Sequence, residues 1–271
     1  MYAAVQPCEP LVPAFVTRLT SIISALDELL TPDAFQDMGP NGLQVPGRDE
    51  VSTVVTGVTA SRELCEQAVA EDAELVLVHH GLFWDFHPAG LTPVLAERLR
   101  PLFKHDIALA GYHLPLDAHP EVGNNAILAE RLGCERHEAF GRGKGPTHAA
   151  IGRCGTFTGD GVPAAELFER VREVTARVPT VFDGGPERVR RIGIVSGGGA
   201  GHLEEAIAAG FDAFLTGEPR EHVMSLAREA GIHFIAAGHY ATETFGVRAL
   251  GDWLAERFGI RHVWIDIPNP V

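Results

Sequence analysis

His79 and His80 stand side by side, followed by Gly81. His113 precedes Asp117 by four residues, Glu218 precedes His222 by four, and His239 precedes Glu243 by four. Imidazole nitrogens and carboxylate oxygens, with no cysteine in these stretches, suit a hard or borderline divalent ion such as Zn, Fe, Mn, Ni or Mg. A set of five such ligands would exceed the three or four protein ligands of a single zinc. Shared carboxylates would let it hold two ions ~3.5–4 Å apart, the arrangement of many hydrolytic centres. Plainer readings exist for each residue: a histidine at a strand end can be a hydrogen-bonded rim residue, and residues four apart are neighbours on any helix. Paired histidines backed by glycine fit that reading poorly. So does His239, because FIAAGHYATETFGV (234–247) is too apolar for a solvated face.

The elements that must position these residues can be read from hydrophobic pattern. Residues 14–30 put Phe15, Leu19, Ile22, Ile23, Leu26 and Leu30 on one helical face, and Thr31-Pro32 ends that helix. The loop DMGPNGLQVPGRDE follows, with Asn41 to Gln44 read as a turn. A buried strand over 51–58, a helix over 62–72 and a strand over 74–78 make a βαβ unit. The same order recurs as a strand over 189–196, a helix over 203–210 and a strand over 212–216. DAELVLVHH (72–80) aligns with GFDAFLTGE (210–218), and IALAGYHLPLD (107–117) with HFIAAGHYATE (233–243), pointing to an internal duplication. Residues 130–188 should add an edge strand, a helix near 164–177 and loops, with turns at GRGKGP and FDGGP. The expected fold is α/β: two related subdomains, 1–128 and 129–271, with mixed, largely parallel sheets packed by helices. The metal site would lie between them, and the C-terminal tail would cross back to the first. Ligand crevices of open α/β sheets lie beyond the carboxyl ends of the strands. The strands before His79, His113, Glu218 and His239 all deliver His or carboxylate to that edge.

Composition narrows the function classes. The chain has 271 residues, 45% apolar and 21% charged, with a formal charge of −14. That sign repels phosphate backbones and disfavours nucleic acid as a partner. No uncharged apolar run approaches the ~20 residues needed to span a bilayer, so no membrane role is expected. The N-terminal segment does not read as a signal peptide. Cys8, Cys65, Cys134 and Cys154 form no CxxC pair and read as reduced thiols of a cytoplasmic protein. SGGGAG (196–201) follows a strand and could cradle a phosphate, but close strand–helix packing explains its glycines equally well. Phe83, Trp84 and Phe86 could wall a pocket or meet a subunit, with core packing the favoured reading.

PNGLQV (40–45), VTGVTAS (55–61), LVHHGLFW (77–84), GYHLPLDAHPEVGNNA (111–126), TGEPREH (216–222), GHYATETFGV (238–247) and IDIPNP (265–270) resemble the NIF-three-like family. These are dinuclear-metal-centre hexameric proteins, often called type-two GTP cyclohydrolase I homologues. The resemblance covers nearly the whole chain, in its short form. It implies a toroidal homo-hexamer and two divalent ions per chain, held by His79, His80, Asp117, His239 and Glu243. His113, Glu218 and His222 fall on neighbouring motif positions, as groups supporting the ligands or touching substrate. Asp85-Phe86 departs from the basic residue and Gly of many relatives. The expected function is a metal-dependent hydrolase acting on a small anionic, nucleotide-type substrate, with His113 or Glu218 carrying the proton. The alternative is a non-catalytic metal-handling or regulatory ring protein.

Overall fold

The computed structural model describes residues 15–143 and 149–271. Cys8, the chain before Phe15 and part of the GRGKGP turn lie outside the described residues. Two sheets dominate. In the first, Thr53–Thr59, Leu75–His80 and Ala108–Gly111 are parallel neighbours. Arg261–Trp264 adds a parallel strand outside Thr53–Thr59, and Gly42–Val45 an antiparallel one beside Ala108–Gly111. Leu75 to Val78 are all fully buried, as a parallel sheet covered on both faces requires. The helices Arg62–Ala70 and Pro93–His105 bring Leu64, Cys65, Ala68, Leu99 and Leu102 to one face. Leu19–Leu30 and Thr244–Phe258 bring Ile22, Leu26, Val247, Leu250 and Leu254 to the other.

The second sheet repeats this core. Arg191–Val195, Ala213–Thr216 and His233–Ala236 are parallel neighbours, with Thr180–Phe182 antiparallel at one edge. On the other side Ala150–Thr156 and Arg136–Arg142 pair antiparallel. Three of its five strand contacts are therefore antiparallel, so the largely parallel character holds only for the first sheet. The duplication extends to detail. A Glu74 carboxylate oxygen accepts the amides of Ser52 and Thr53, at 3.0 and 2.8 Å. Its aligned partner Asp212 accepts those of Arg190 and Arg191, at 2.8 and 3.0 Å. The ungapped match slips by one residue at the third strand, where sheet register equates Ala108, rather than Ile107, with His233.

Several boundaries move for nonlocal reasons. The first helix starts at Leu19, not residue 14, because Thr17–Arg18 pairs with Glu50–Val51 and Phe15 is exposed. It ends as expected at Thr31, which takes a left-handed φ of 46° before Pro32. Asn41 to Gln44 is not merely a turn, since Gly42–Val45 is an edge strand. The helix expected over 164–177 stops at Thr175, where Ala176 turns left-handed. Residue 128 lies inside the helix Asn124–Arg131, whose Leu128 and Ala129 pack in the second half. No helix among the described residues is long and apolar enough to cross a membrane.

Candidate metal centre

The parallel strands of both sheets end toward one cluster. Leu75–His80 carries His79 and His80 at its last two positions. Beyond Ala108–Gly111, the short helix Leu114–Ala118 carries Asp117, with His113 just before it. From the second half, the turn His239–Thr242 supplies His239, and Glu243 follows it. Three overlapping groups result: His79, His80 and His113; His80, His239 and Glu243; His79, Asp117 and Glu243. Within each group the ligand atoms lie within 4.8 Å of one another.

Glu243 is the hub. Its Oε1 is 3.5 Å from His79 Nε2, and its Oε2 is 3.1 Å from both His80 Nε2 and His239 Nε2. The outward-facing nitrogens of two imidazoles are fixed by hydrogen bonds on their opposite sides. His79 Nδ1 donates to the Tyr112 carbonyl at 3.0 Å, and His239 Nδ1 is bonded to Glu218 Oε1. Such partners set which ring nitrogen is free to bind a metal. Asp117 Oδ1 lies 3.6 Å from His79 Nε2 and accepts from Asn124 Nδ2 at 2.8 Å and Ser196 Oγ at 3.0 Å. His113 Nδ1 is 2.7 Å from Asp37 Oδ1, while Asn41 Oδ1 accepts the His113 amide.

Electrostatics fit a missing cation. Asp117 and Glu243 are 6% and 2% exposed, and among the described residues no Lys or Arg pairs with either. Burying carboxylates is costly unless positive charge accompanies them. In the metal-free chain the imidazoles supply it. Burial opposes the charged form of His79, but Asp117 and Glu243 outweigh it and raise its pKa to about 9. His239 also rises to about 9, as Glu243 and Glu218 overcome burial. Burial lowers His80 despite Glu243, and the surrounding imidazoles hold Glu243 well below the usual carboxylate range. Among the described residues His79 Nε2 and Glu243 Oε2 are buried without a well-aligned hydrogen-bond partner, unusual for native polar atoms outside a ligand site. The donor set thus fits divalent metal.

Seven of the eight singled-out residues therefore come together: His79, His80, His113, Asp117, Glu218, His239 and Glu243. His222 does not join them. It is exposed at the start of Val223–Ala230 and makes no ion pair or ring contact with the group among the described residues. Sequence reasoning missed Asp37, Asn41 and Ser196, which orient the cluster from distant loops, and Asn124, which does so from the start of the helix Asn124–Arg131. SGGGAG proves to serve close approach: a Cβ on Gly197 (φ 59°) would lie 2.0 Å from Glu243 Oε1 and 3.0 Å from His239 Nε2. Core packing fails for the aromatic run, because Phe83 and Phe86 are 37% and 65% exposed. Trp84 instead stacks on Phe86 and meets His113 edge-on, with centroids 5.1 Å apart, so the run walls the cluster.

The chain resembles known proteins over almost its whole length. Residues 17–270 match the family model described as Duf34/NIF3 (NGG1p interacting factor 3). The chain is 45% identical over 252 residues to a protein named GTP cyclohydrolase 1 type 2 homolog from Pseudomonas aeruginosa, covering 93% of this chain and 98% of the relative. A Yersinia pestis protein of the same name is 45% identical over 254 residues, 93% of this chain and 99% of the relative. Among solved structures, protein ybgI, described as of unknown function, superposes with a TM-score of 0.86 at 42% identity, covering 94% of this chain and all of that one. TTHA1606 from Thermus thermophilus gives 0.82 at 36% identity, with the same coverage. The chain belongs to the Duf34/NIF3 family.

Proposed function

We propose that the chain binds two divalent metal ions and is a metal-dependent hydrolase acting on a nucleotide-type substrate. The observation that carries this is Glu243, whose two buried oxygens face three imidazoles drawn from both halves and pair with no Lys or Arg among the described residues. His79, His80, Asp117, His239 and Glu243 would hold the ions. When bound, the ions would supply Lewis acidity and a water of lowered pKa. His113 would carry the proton: Asp37 holds its Nδ1, which leaves Nε2 for a reacting group. Glu218 is better suited to orienting His239, whose Nδ1 it engages. Trp84 and Phe86 would screen the reacting centre from bulk water. The names of the relatives favour a guanine nucleotide, with the imidazole ring opened and formate released.

The test pairs metal analysis with formate release from GTP in the wild type, Asp117→Ala and His239→Ala. About two ions per chain and formate in the wild type, both lost in the variants, is the expected result. Two ions without formate would remove GTP as substrate, and fewer than one ion under every loading condition would overturn the centre itself. A second reading, metal handling without turnover, is favoured by the enclosed space beside His79, His113 and Trp84. At about 10 Å³ it holds about one water. We also propose that copies assemble into a hexameric ring, which the exposed apolar side chains Leu91, Val94 and Phe103 support.

A further inference from the structure

We infer that the crevice between the carboxyl end of Thr53–Thr59 and the segment after Arg261–Trp264 is a pocket for a planar heterocyclic ring of purine size, set beside the metal-ligating cluster. The inference rests on the nucleotide-hydrolase reading and names the part of the substrate that this crevice holds. Its position is the first argument. The helix leaving Thr53–Thr59, Arg62–Ala70, packs on one face of the sheet. The helix entering Arg261–Trp264, Thr244–Phe258, packs on the other. Strand order therefore reverses between these two neighbours, and crevices beyond carboxyl ends at such a reversal are where open α/β sheets bind ligands.

Size and wall chemistry give the ligand class. The cavity is about 200 Å³, below the roughly 300–1,000 Å³ of sites for drug-sized ligands. That suits a single ring system rather than a whole nucleotide. Leu64, Ile265, Ile267 and Pro268 make apolar walls, with the Tyr240 side chain among them and Thr59 at the rim. Among the described residues no Lys or Arg lines it, so phosphate groups would lie elsewhere. Ring faces with polar edges match such a slot.

The pocket is also tied to the cluster. Thr59 Oγ1 lies 3.2 Å from His80 Nδ1, and Tyr240 directly follows His239. Tyr240 pins the far wall: its hydroxyl donates to Asp266 Oδ1 at 2.5 Å and accepts the Ile267 amide at 3.1 Å. Arg177 adds a hydrogen bond to the Pro270 carbonyl. A ring seated here would place its attached groups past Thr59 toward His80.

The test uses the full chain loaded with zinc, guanosine as the probe, and Ile267→Trp and Pro268→Trp as pocket-filling variants. Pro268 is exposed, so its variant decides the matter if Ile267→Trp folds poorly. Guanosine should bind the wild type by calorimetry, ribose 5-phosphate should not displace it, and both variants should bind about tenfold more weakly or worse with zinc content unchanged. Equal guanosine binding by zinc-loaded variants, or none by the wild type at millimolar probe, would overturn the pocket. Guanosine binding without hydrolysis of any nucleotide would keep the pocket and remove the hydrolase reading. GTP hydrolysis with an unaltered KM in both variants would do the reverse.

Discussion

His79 and His239 hold protons tightly in the metal-free chain because buried carboxylates face them, and both pKa values stand at about 9. An unfolded histidine titrates near ~6.5. The two charged imidazoles therefore favour folding fully below about pH 6.5, and that contribution fades as pH rises through about 9. A metal must displace the same protons, so its affinity should climb across the same window. The melting temperature of metal-free protein should fall between those limits, and calorimetry in buffers of different ionisation enthalpy should show proton release on metal binding. No proton release at neutral pH would contradict the assignment of these two nitrogens. The clustered histidines and carboxylates were legible in sequence as candidates because His79-His80 and each His-x3-acid are local patterns. Their supports were not: Asp37 reaches His113 across 76 residues and Ser196 reaches Asp117 across 79, which leaves no local trace.

Strands such as Leu75–His80 read clearly because a sheet covered on both faces demands an unbroken apolar run. The start of Leu19–Leu30 did not, because the pairing of Thr17 with Val51 overrides a helical pattern that extends back to Phe15. Thr244–Phe258 follows Glu243 directly, yet its packing residues lie well along the helix from that end. Leu254 is fully buried on that helix, against the first sheet. Leu254→Ala should reduce stability by about 2–5 kcal/mol, read from urea unfolding, as large core truncations do. Metal content should persist, since Leu254 lies about three turns from Glu243 at the helix start; loss of metal at native temperature would mean that packing along the helix fixes Glu243.

Across the molecule, the cluster draws His79, His80 and Asp117 from one half and His239 and Glu243 from the other. A metal held there binds the folded arrangement and not the separated halves. Metal at 100 times its dissociation constant should therefore raise unfolding free energy by about 2.7 kcal/mol. A chelator should reverse the gain in the wild type and change nothing in Asp117→Ala, as followed by thermal melting. The matched carboxylates Glu74 and Asp212 each clamp the start of the first of three parallel strands, so the repeat reaches single hydrogen bonds. Each half carries its His-x3-acid stretch just beyond the last of its parallel strands, so one layout presents an imidazole and a carboxylate twice at the same edge. The two halves nonetheless differ at this edge: one has His79-His80 where the other has Gly217-Glu218, so the first offers two imidazoles and the second a carboxylate bonded to His239.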